Sequence, residues 1–513
     1  MGLHHVADRH GGGSRDGAVG LKSGPRGLQW LNIRPVSVDI APGVSEYDLI
    51  CIGSGPAGEK AATQAAYFGH RVAIVERASS PGGAMVNTGT IPSKSLRETA
   101  LLCSAHRRRP LPGAECTVDR RLSVAKLMAQ RYRVQYQEHD RIESSLDGAG
   151  IQVIRGHARI AGPNSVNVET SGGTQTTLQT KFILIATGSS PARPDHVPFD
   201  HPNVVDADEI LDLTQVPESI LVVGAGVIGC EYACTFAELG VRVTLVHTGE
   251  SLLDFIDSEC RDHLLRAMND EGIDIRMNTA IEAVIPQDNH TVIARTETGE
   301  DLRCDVLLWA AGRCSNTGEI GLDKAGIVPG LRGLIEVDET YRTSVPSIYA
   351  AGDVIGFPAL ASTSMEQGRI AACHMFGIAF KTKLTDLVPF GLYTIPAVST
   401  VGLSEQEAID AGREVVVGRA RYRHNARGRM LGDEQGLVKC VFDRHTRRLL
   451  GAAIVGESAT ELIHIAQFMV TAEGGIDDLI SACFNYPSLS ELYKYAAYDA
   501  LGAIASLDVD QAA

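Results

Sequence analysis

The sequence predicts an α/β fold: two doubly wound parallel-sheet units followed by a smaller C-terminal α+β domain. Three observations lead there. A Gly-x-Gly-x-x-Gly motif occurs twice, as Gly53-Ser54-Gly55-Pro56-Ala57-Gly58 and as Gly224-Ala225-Gly226-Val227-Ile228-Gly229. The spacing of 171 positions (224 − 53) then persists: Gly69 before Arg71-Val72 falls on Gly240 before Arg242-Val243, and Glu76 falls on His247. Each motif also lies between an apolar run, Tyr47 to Ile52 or Ser219 to Val223, and a helical stretch, and each leads to a second apolar run. An internal repeat of this kind describes a chain that binds two dinucleotides in two Rossmann-like units.

The physics of the two units is the same. The first glycine permits the tight turn, the second lets the backbone approach a pyrophosphate, and the third lets the helix pack on the strand. The phosphates then meet unsatisfied N–H groups at the positive end of the helix. At the end of the second strand a carboxylate hydrogen-bonds a ribose 2′-hydroxyl. Glu76 supplies it in the first unit, whereas His247 stands there in the second. A carboxylate repels a 2′-phosphate; His247 does not, and Thr248 donates to either group, so the second unit suits both NAD and NADP. No arginine follows within Thr248-Gly249-Glu250 and Glu250 opposes a phosphate, so the 2′-phosphate partner is not identified. The plainer reading of His247 is a surface histidine.

At 513 residues the chain has room for about three domains. Its 44% apolar and 21% charged residues are ordinary for a globular protein. A net charge of -15 favours solubility and argues against non-specific nucleic-acid binding. No apolar run reaches membrane-span length, and the longest, such as Ile220 to Val223 and Val306 to Ala311, read as buried strands. The 11 cysteines show no CxxC, which suits reduced thiols in a cytoplasmic protein. Cys230 and Cys234, one helical turn apart, read as a small-residue helix face. No cluster has metal-ligand spacing.

Residues 1–45 are rich in Gly, Arg and His without hydrophobic periodicity, and read as a disordered extension with no secretory h-region. A mis-assigned upstream start, or a presequence interrupted by Asp8 and Asp16, are the other readings. Residues 46–190 hold the first unit, a charged helical stretch from Leu101 to Ala149, and a strand from Lys181 to Ala186 that ends in Thr187-Gly188. Residues 191–313 hold the second unit and close on Gly312-Arg313. Residues 314–385 return to the first domain and include the strand Ser347 to Asp353, with an acid at the carboxyl edge where open α/β sheets bind ligands. Residues 386–505 alternate strands (Val415 to Val417, Leu437 to Phe442, Leu450 to Val455) with helices (Ser458 to Gly474, Leu489 to Leu501). The residues after Leu501 read as a frayed tail, and His464 as an interior histidine.

The loop after the first unit reads Gly82-Gly83-Ala84-Met85-Val86-Asn87-Thr88-Gly89-Thr90-Ile91-Pro92-Ser93-Lys94. Over residues 46–500 the chain resembles the flavin-dependent pyridine nucleotide-disulfide oxidoreductases. That family places a cysteine pair at the positions of Met85 and Thr90, and its proton-donating histidine at Tyr486, before Pro487. The family's orienting acid persists as Glu491. Without thiolates there is no dithiol exchange. The segments Thr90-Ile91-Pro92-Ser93-Lys94, Tyr393-Thr394-Ile395-Pro396 and Phe484-Asn485-Tyr486-Pro487 are similar to the branch of soluble pyridine nucleotide transhydrogenases. Met85 is a departure, because that branch often keeps the first cysteine.

The resemblance implies FAD in the first unit, held by the Gly53, Gly55 and Gly58 turn, by Glu76 with Arg77 nearby, and by Gly82 and Gly83 over the pyrophosphate. Thr90, Thr187 and Gly188 would close on it, and Asp353 would reach the ribityl chain. NAD or NADP would enter the second unit over Gly224, Gly226, Gly229, His247 and Gly312. Lys94 would lie beside flavin N5, paired with Glu231, and a cation there favours the reduced, anionic flavin. Alone, each of the two reads as an ordinary helix charge. The implied reaction is hydride transfer between NADPH and NAD+ through flavin N5. An NAD(P)H:quinone-type dehydrogenase and a non-catalytic flavin-binding regulator share the same cofactor motifs. The C-terminal domain resembles the family's dimer interface and implies a homodimer or larger homo-oligomer. Nucleotide preference, direction and the role of residues 1–45 are not set by the sequence.

Overall fold

The computed structural model describes residues 45–108, 127, 129–170, 172–288 and 290–512. The extension expected before Ser45 and the middle of the charged stretch from Leu101 to Ala149 lie outside the described residues; within that stretch, helices Thr90–Arg108 and Ala129–Gly148 are described.

The strand Ser45–Ile52 pairs in parallel with Val72–Glu76 on one side and with Gln175–Ile185 on the other. Gln152–Arg155 extends the sheet beyond Val72–Glu76. Ile348–Ala350 joins in parallel beside Ile183, Leu184 and Ile185, so the chain re-enters this sheet after the second unit. Every residue of Val72–Glu76 is buried, as expected for a run covered on both faces. Helix Pro56–Tyr67 covers one face through Ala57, Ala61, Ala62 and Ala65. Helix Ala361–Met375 packs against it. That approach needs Gly368, because a Cβ there would stand 2.2 Å from the Ala57 carbonyl oxygen.

The second unit repeats the first down to individual bonds. Ile220 faces Val243 as Leu49 faces Val72. Gly69 N–H donates to Ala66 O at 2.9 Å and Gly240 N–H to Ala237 O at 2.8 Å, both glycines turning with a left-handed φ at the helix end. The sheet runs Asp274–Arg276, Arg242–Val246, Ser219–Val223, Val306–Trp309, Val204–Asp206, all parallel. Helix Val227–Glu238 covers one face. An antiparallel ribbon (Ile281–Pro286, Val292–Thr296, Asp301–Cys304) covers the other through Val284, Val292, Ala294 and Leu302.

The C-terminal region is a five-stranded antiparallel sheet ordered Phe390–Leu392, Val398–Gly402, Leu449–Val455, Leu437–Asp443, Val415–Arg421. Helices Ala459–Thr471 and Glu491–Ala512 pack on it. Two expectations need correction. The final helix continues to Ala512, because the residues after Leu501 contain no proline and Ile504 packs into the core beneath the sheet. His464 is exposed, its Nδ1 2.9 Å from Gln467 Oε1, because the buried stripe of its helix runs through Leu462, Ile463 and Ala466.

Candidate functional site

The first fingerprint forms a closed cradle. Gly53 turns at φ 102°, and Gly58 packs so closely that a Cβ would stand 2.0 Å from the Gly53 carbonyl oxygen. Gly55 caps helix Pro56–Tyr67 without a side-chain bond, and Pro56 occupies the first turn. The next N–H groups therefore point outward from the positive helix end, where an anion is favoured. Glu76, 6% exposed, sits at the end of its strand. Its Oε2 accepts from Ser54 N–H at 2.9 Å and Ser54 Oγ at 2.6 Å, and its Oε1 accepts from Ala78 N–H at 2.7 Å. Each carboxylate oxygen has two acceptor sites, so capacity for a hydroxyl donor remains. Gly82 and Gly83 roof the turn: Gly82 N–H donates to Ser54 O at 3.1 Å, and a Cβ on Gly83 would stand 2.8 Å from Gly55 Cα. Arg77 is exposed beside Glu76, and Thr90 is exposed at the start of its helix.

The second fingerprint keeps the turn and loses the roof. A Cβ on Gly229 would stand 1.8 Å from the Gly224 carbonyl oxygen, whereas one on Gly226 would meet nothing within 4 Å among the described residues. Gly226 caps helix Val227–Glu238, again without a side-chain bond. His247 Nδ1 accepts from Ala225 N–H at 3.4 Å, the bond that Ser54 gives to Glu76. The imidazole packs over Gly249, where a Cβ would come within 2.9 Å of Nε2. The histidine is thus held in the fingerprint turn. Gly312, at φ 110°, follows Ala310 and Ala311, which line Gly224.

Lys94 and Glu231 join the two units. Lys94 Nζ is 2.6 Å from Glu231 Oε2. The Glu231 side chain is 9% exposed and that of Lys94 26%, so the pair is desolvated on the acid side and open on the cation side. A third element fixes it. Tyr393 N–H donates to Glu231 Oε1 at 2.8 Å, and the Tyr393 ring lies 5.1 Å below the Lys94 ammonium. Arg97, one turn after Lys94, donates to Thr394 O through Nε and Nη2, both at 3.2 Å. Residue types at separate positions did not foretell the role of Tyr393, although it begins a segment the resemblance had singled out.

Asp353 ends the re-entrant strand region, where its Oδ2 accepts from Ser189 Oγ at 2.9 Å. Arg313 holds the same serine, through Nε to Oγ at 2.8 Å and Nη2 to the carbonyl at 2.7 Å. Thr187 Oγ1 is buried with no hydrogen-bond partner among the described residues, and Gly188 O accepts from Asn316 N–H at 2.9 Å. A cleft of about 930 Å³ lined by Asn203, Glu218, His290 and Asp305 lies at the amino ends of the strands, the opposite edge from the one where such sheets bind ligands. Met85 is buried in the core of the first unit. Burial pushes the Cys234 and Cys304 thiols up to about 12. Among the described residues no group of His, Cys, Asp or Glu could hold a metal, and no helix is long and apolar enough to cross a membrane.

Residues 47–368 match the family model for pyridine nucleotide-disulphide oxidoreductases, and residues 388–497 match that family's dimerisation domain. The chain belongs to the pyridine nucleotide-disulphide oxidoreductase family. It is 43% identical over 464 residues to a soluble pyridine nucleotide transhydrogenase of Mycobacterium bovis, covering 90% of this chain and 99% of the relative. It is 40% identical over 469 residues to the soluble pyridine nucleotide transhydrogenase of Pseudomonas putida, covering 89% and 99%. The crystal structure of LpdA from Mycobacterium tuberculosis matches with a TM-score of 0.82 at 27% identity, over 89% of this chain and 99% of that one. The HOCl-induced flavoprotein disulfide reductase RclA of Escherichia coli matches at 0.79 and 27%, over 87% and 98%. The protein is therefore an oxidoreductase of this family, with the family's mixed α/β architecture.

Proposed function

We propose that this protein transfers hydride between NADPH and NAD+, giving NADP+ and NADH, with FAD as its resident cofactor and without a redox-active disulfide. The observation that carries the reading is the Lys94–Glu231 pair. It links helix Thr90–Arg108, which follows the first dinucleotide unit's glycine roof, to helix Val227–Glu238 of the second, in a chain with Met85 and Thr90 where the family places its cysteines. The names of the transhydrogenase relatives support the same reaction.

The residues present fit FAD. The uncapped helix end beyond Gly55 would receive a pyrophosphate, Glu76 keeps acceptor capacity for a ribose hydroxyl, and the buried Thr187 hydroxyl lacks a partner among the described residues. Gly53, Gly58, Gly82 and Gly83 shape that cradle; Arg77, Thr90, Gly188 and Asp353 would complete it around the bound cofactor. When bound, a flavin supplies a centre that takes up a hydride and gives it back. Lys94, held by Glu231, presents a positive charge that favours negative charge developing beside it. Gly224, Gly226, Gly229 and Gly312 form the second bed, where a nicotinamide nucleotide is oriented, and His247 places no fixed negative charge at the 2′ position. No protein acid or base is required for hydride transfer, in keeping with Tyr486 at the family's histidine position.

The exposed Phe468 and Tyr486, 72% and 75%, lie in the region matched by the dimerisation model. They support a homodimer or larger homo-oligomer, with residues 485–491 directed to the partner. The absence of CxxC and the buried thiols suit a cytoplasmic setting. The test is the flavin-loaded protein mixed with NADPH and thio-NAD+. Steady formation of thio-NADH without disulfide or quinone is the expected result. Flavin reduction without thio-NADH overturns the proposal and points to an acceptor such as a quinone; no reduction at all points to a regulator. Lys94→Met should retain flavin and lose about a hundredfold in turnover.

A further inference from the structure

We infer that Arg332 is a phosphate-binding residue of the second nucleotide site, closing on the pyrophosphate shared by NAD and NADP opposite the end of helix Val227–Glu238. The inference rests on the reading of that site given above.

The first observation is the backbone. Arg332 has φ 56° and ψ 22° in the turn Leu331–Gly333, a left-handed conformation that L side chains other than Asn and Asp adopt rarely. The turn does not need an arginine: it is closed by Gly330 N–H to Leu334 O at 2.8 Å and Gly333 N–H to Gly330 O at 3.1 Å. Glycine would occupy the position without strain. Strain held at a surface position points to a use for its side chain.

The second observation is where that side chain goes. Its Nη1, Cζ and Nη2 lie 3.4, 3.7 and 3.8 Å from the point where a Cβ on Gly312 would stand. Ala310 and Ala311, the two residues before Gly312, line the fingerprint turn itself: a Cβ on Gly224 would meet Ala310 O at 2.8 Å and Ala311 Cα at 3.1 Å. The guanidinium therefore rests one residue from the turn that a pyrophosphate approaches. The third observation is charge. Arg332 is exposed, and no carboxylate among the described residues forms an ion pair with it. Arg313, beside Gly312, is drawn to Ser189 through Nε and Nη2.

A guanidinium with unspent donors matches two phosphate oxygens at once. Set beside Gly312, with the uncapped helix end at Gly226 across the turn, it would offer an anion a second positive pole. Sheet order decides which phosphate. Gly312 follows Val306–Trp309, while His247 follows Arg242–Val246, on the other side of the central Ser219–Val223. A 2′-phosphate belongs at the His247 side and the pyrophosphate at the centre, so Arg332 strengthens both nucleotides and chooses neither.

The test is equilibrium titration of the flavin-loaded protein, without turnover, using NAD+, NADP+ and ADP-ribose. Arg332→Gly relaxes the backbone and should unfold at an unchanged or higher temperature, while Kd for all three ligands rises about tenfold. Arg332→Lys should fall between the two. Unchanged affinities in Arg332→Gly overturn the inference. So does a loss confined to NADP+, which marks a 2′-phosphate contact, or a loss that spares ADP-ribose, which marks a nicotinamide contact. Wild-type protein that binds both nucleotides without exchanging hydride defeats the transhydrogenase reading and leaves Arg332 to be judged by the titration. Wild-type protein that binds neither nucleotide overturns both.

Discussion

The two nucleotide units match bond for bond around their fingerprints, and then part. In the first, Gly53 N–H donates to Val75 O and Ser54 N–H to the Glu76 carboxylate. In the second, Gly224 N–H donates to Val246 O and Ala225 N–H to the His247 imidazole. The residue at the strand end thus has two tasks. One is to accept the N–H of the turn, which a carboxylate and an imidazole both do, although 2.9 Å in the first unit against 3.4 Å in the second makes the histidine the weaker acceptor. An imidazole accepting at Nδ1 also carries its neutral-form proton at Nε2, as a donor. The other task is recognition, and there the two differ in charge. The units differ in cover as well: Gly82 and Gly83 lie over the first turn, and among the described residues nothing stands within 4 Å of a Cβ on Gly226 in the second. An enclosed, acidic cradle suits a cofactor that stays; an open, uncharged one suits substrates that come and go.

The strongest way to break the comparison is at the third glycine of each motif. A Cβ at position 58 or 229 would stand 2.0 or 1.8 Å from a backbone oxygen of its own turn, so the turn must open. Gly58→Ala is expected to purify without flavin absorbance. Gly229→Ala is expected to keep flavin and lose nucleotide affinity by about a hundredfold or more, roughly 3 kcal/mol. Absorbance spectra and nucleotide titrations read both. A Gly58→Ala protein that still carries stoichiometric flavin would show that the first unit is not the cofactor site.

The next test exchanges the strand-end residues. His247→Glu keeps an acceptor for Ala225 N–H and adds a negative charge where a 2′-phosphate would lie. NADPH affinity should fall about thirtyfold, roughly 2 kcal/mol, as expected for like charges brought together. NADH affinity should hold or improve, because a carboxylate binds the 2′-hydroxyl. Equal losses for both nucleotides would mean that His247 supports the turn and takes no part in recognition. Glu76→His should weaken flavin retention about tenfold, since Ser54 N–H and Oγ lose a charged acceptor.

This repeat was legible in the sequence because it depends on backbone. Gly53, Gly58, Gly224 and Gly229 are demanded by atoms of their own turns, so their spacing survives as text. The pairing of Lys94 with Glu231 was legible only through resemblance, because the two lie 137 positions apart and meet by tertiary packing. The bracket from Tyr393, the Ser189–Arg313–Asp353 network and the placement of Arg332 were not legible. Each depends on where a loop returns, and no local pattern encodes that. The acidic and small residues after Leu501 suggest an end to the final helix, whereas packing of Ala500 and Ile504 against the sheet carries the helix past them. His464 suggests an interior residue because its helix is largely apolar; its angle around the helix axis decides exposure, and composition does not report phase.

The smallest expected effect bears on enclosure, and the second glycine of each motif is where it shows. Gly226 has φ −77° and ψ −172°, and Gly55 has φ −64° and ψ −179°, both open to any L residue. Alanine at either position should therefore leave the unfolding temperature nearly unchanged. What differs is the space above. At Gly226 a methyl points into open surroundings, so a mobile nucleotide can shift, and Kd should rise only about threefold, roughly 0.7 kcal/mol. At Gly55 the methyl enters the slot beneath Gly83, 3.9 Å from its Cα, and a ligand held between floor and roof has no room to give. Gly55→Ala should thus slow flavin rebinding to stripped protein more than Gly226→Ala raises nucleotide Kd. Stopped-flow flavin uptake beside nucleotide titration measures the pair. Equal responses at the two positions would show that the Gly82–Gly83 roof does not confine its ligand, and the contrast between a resident and an exchanging site would then have to rest on the charge of Glu76 and His247 alone.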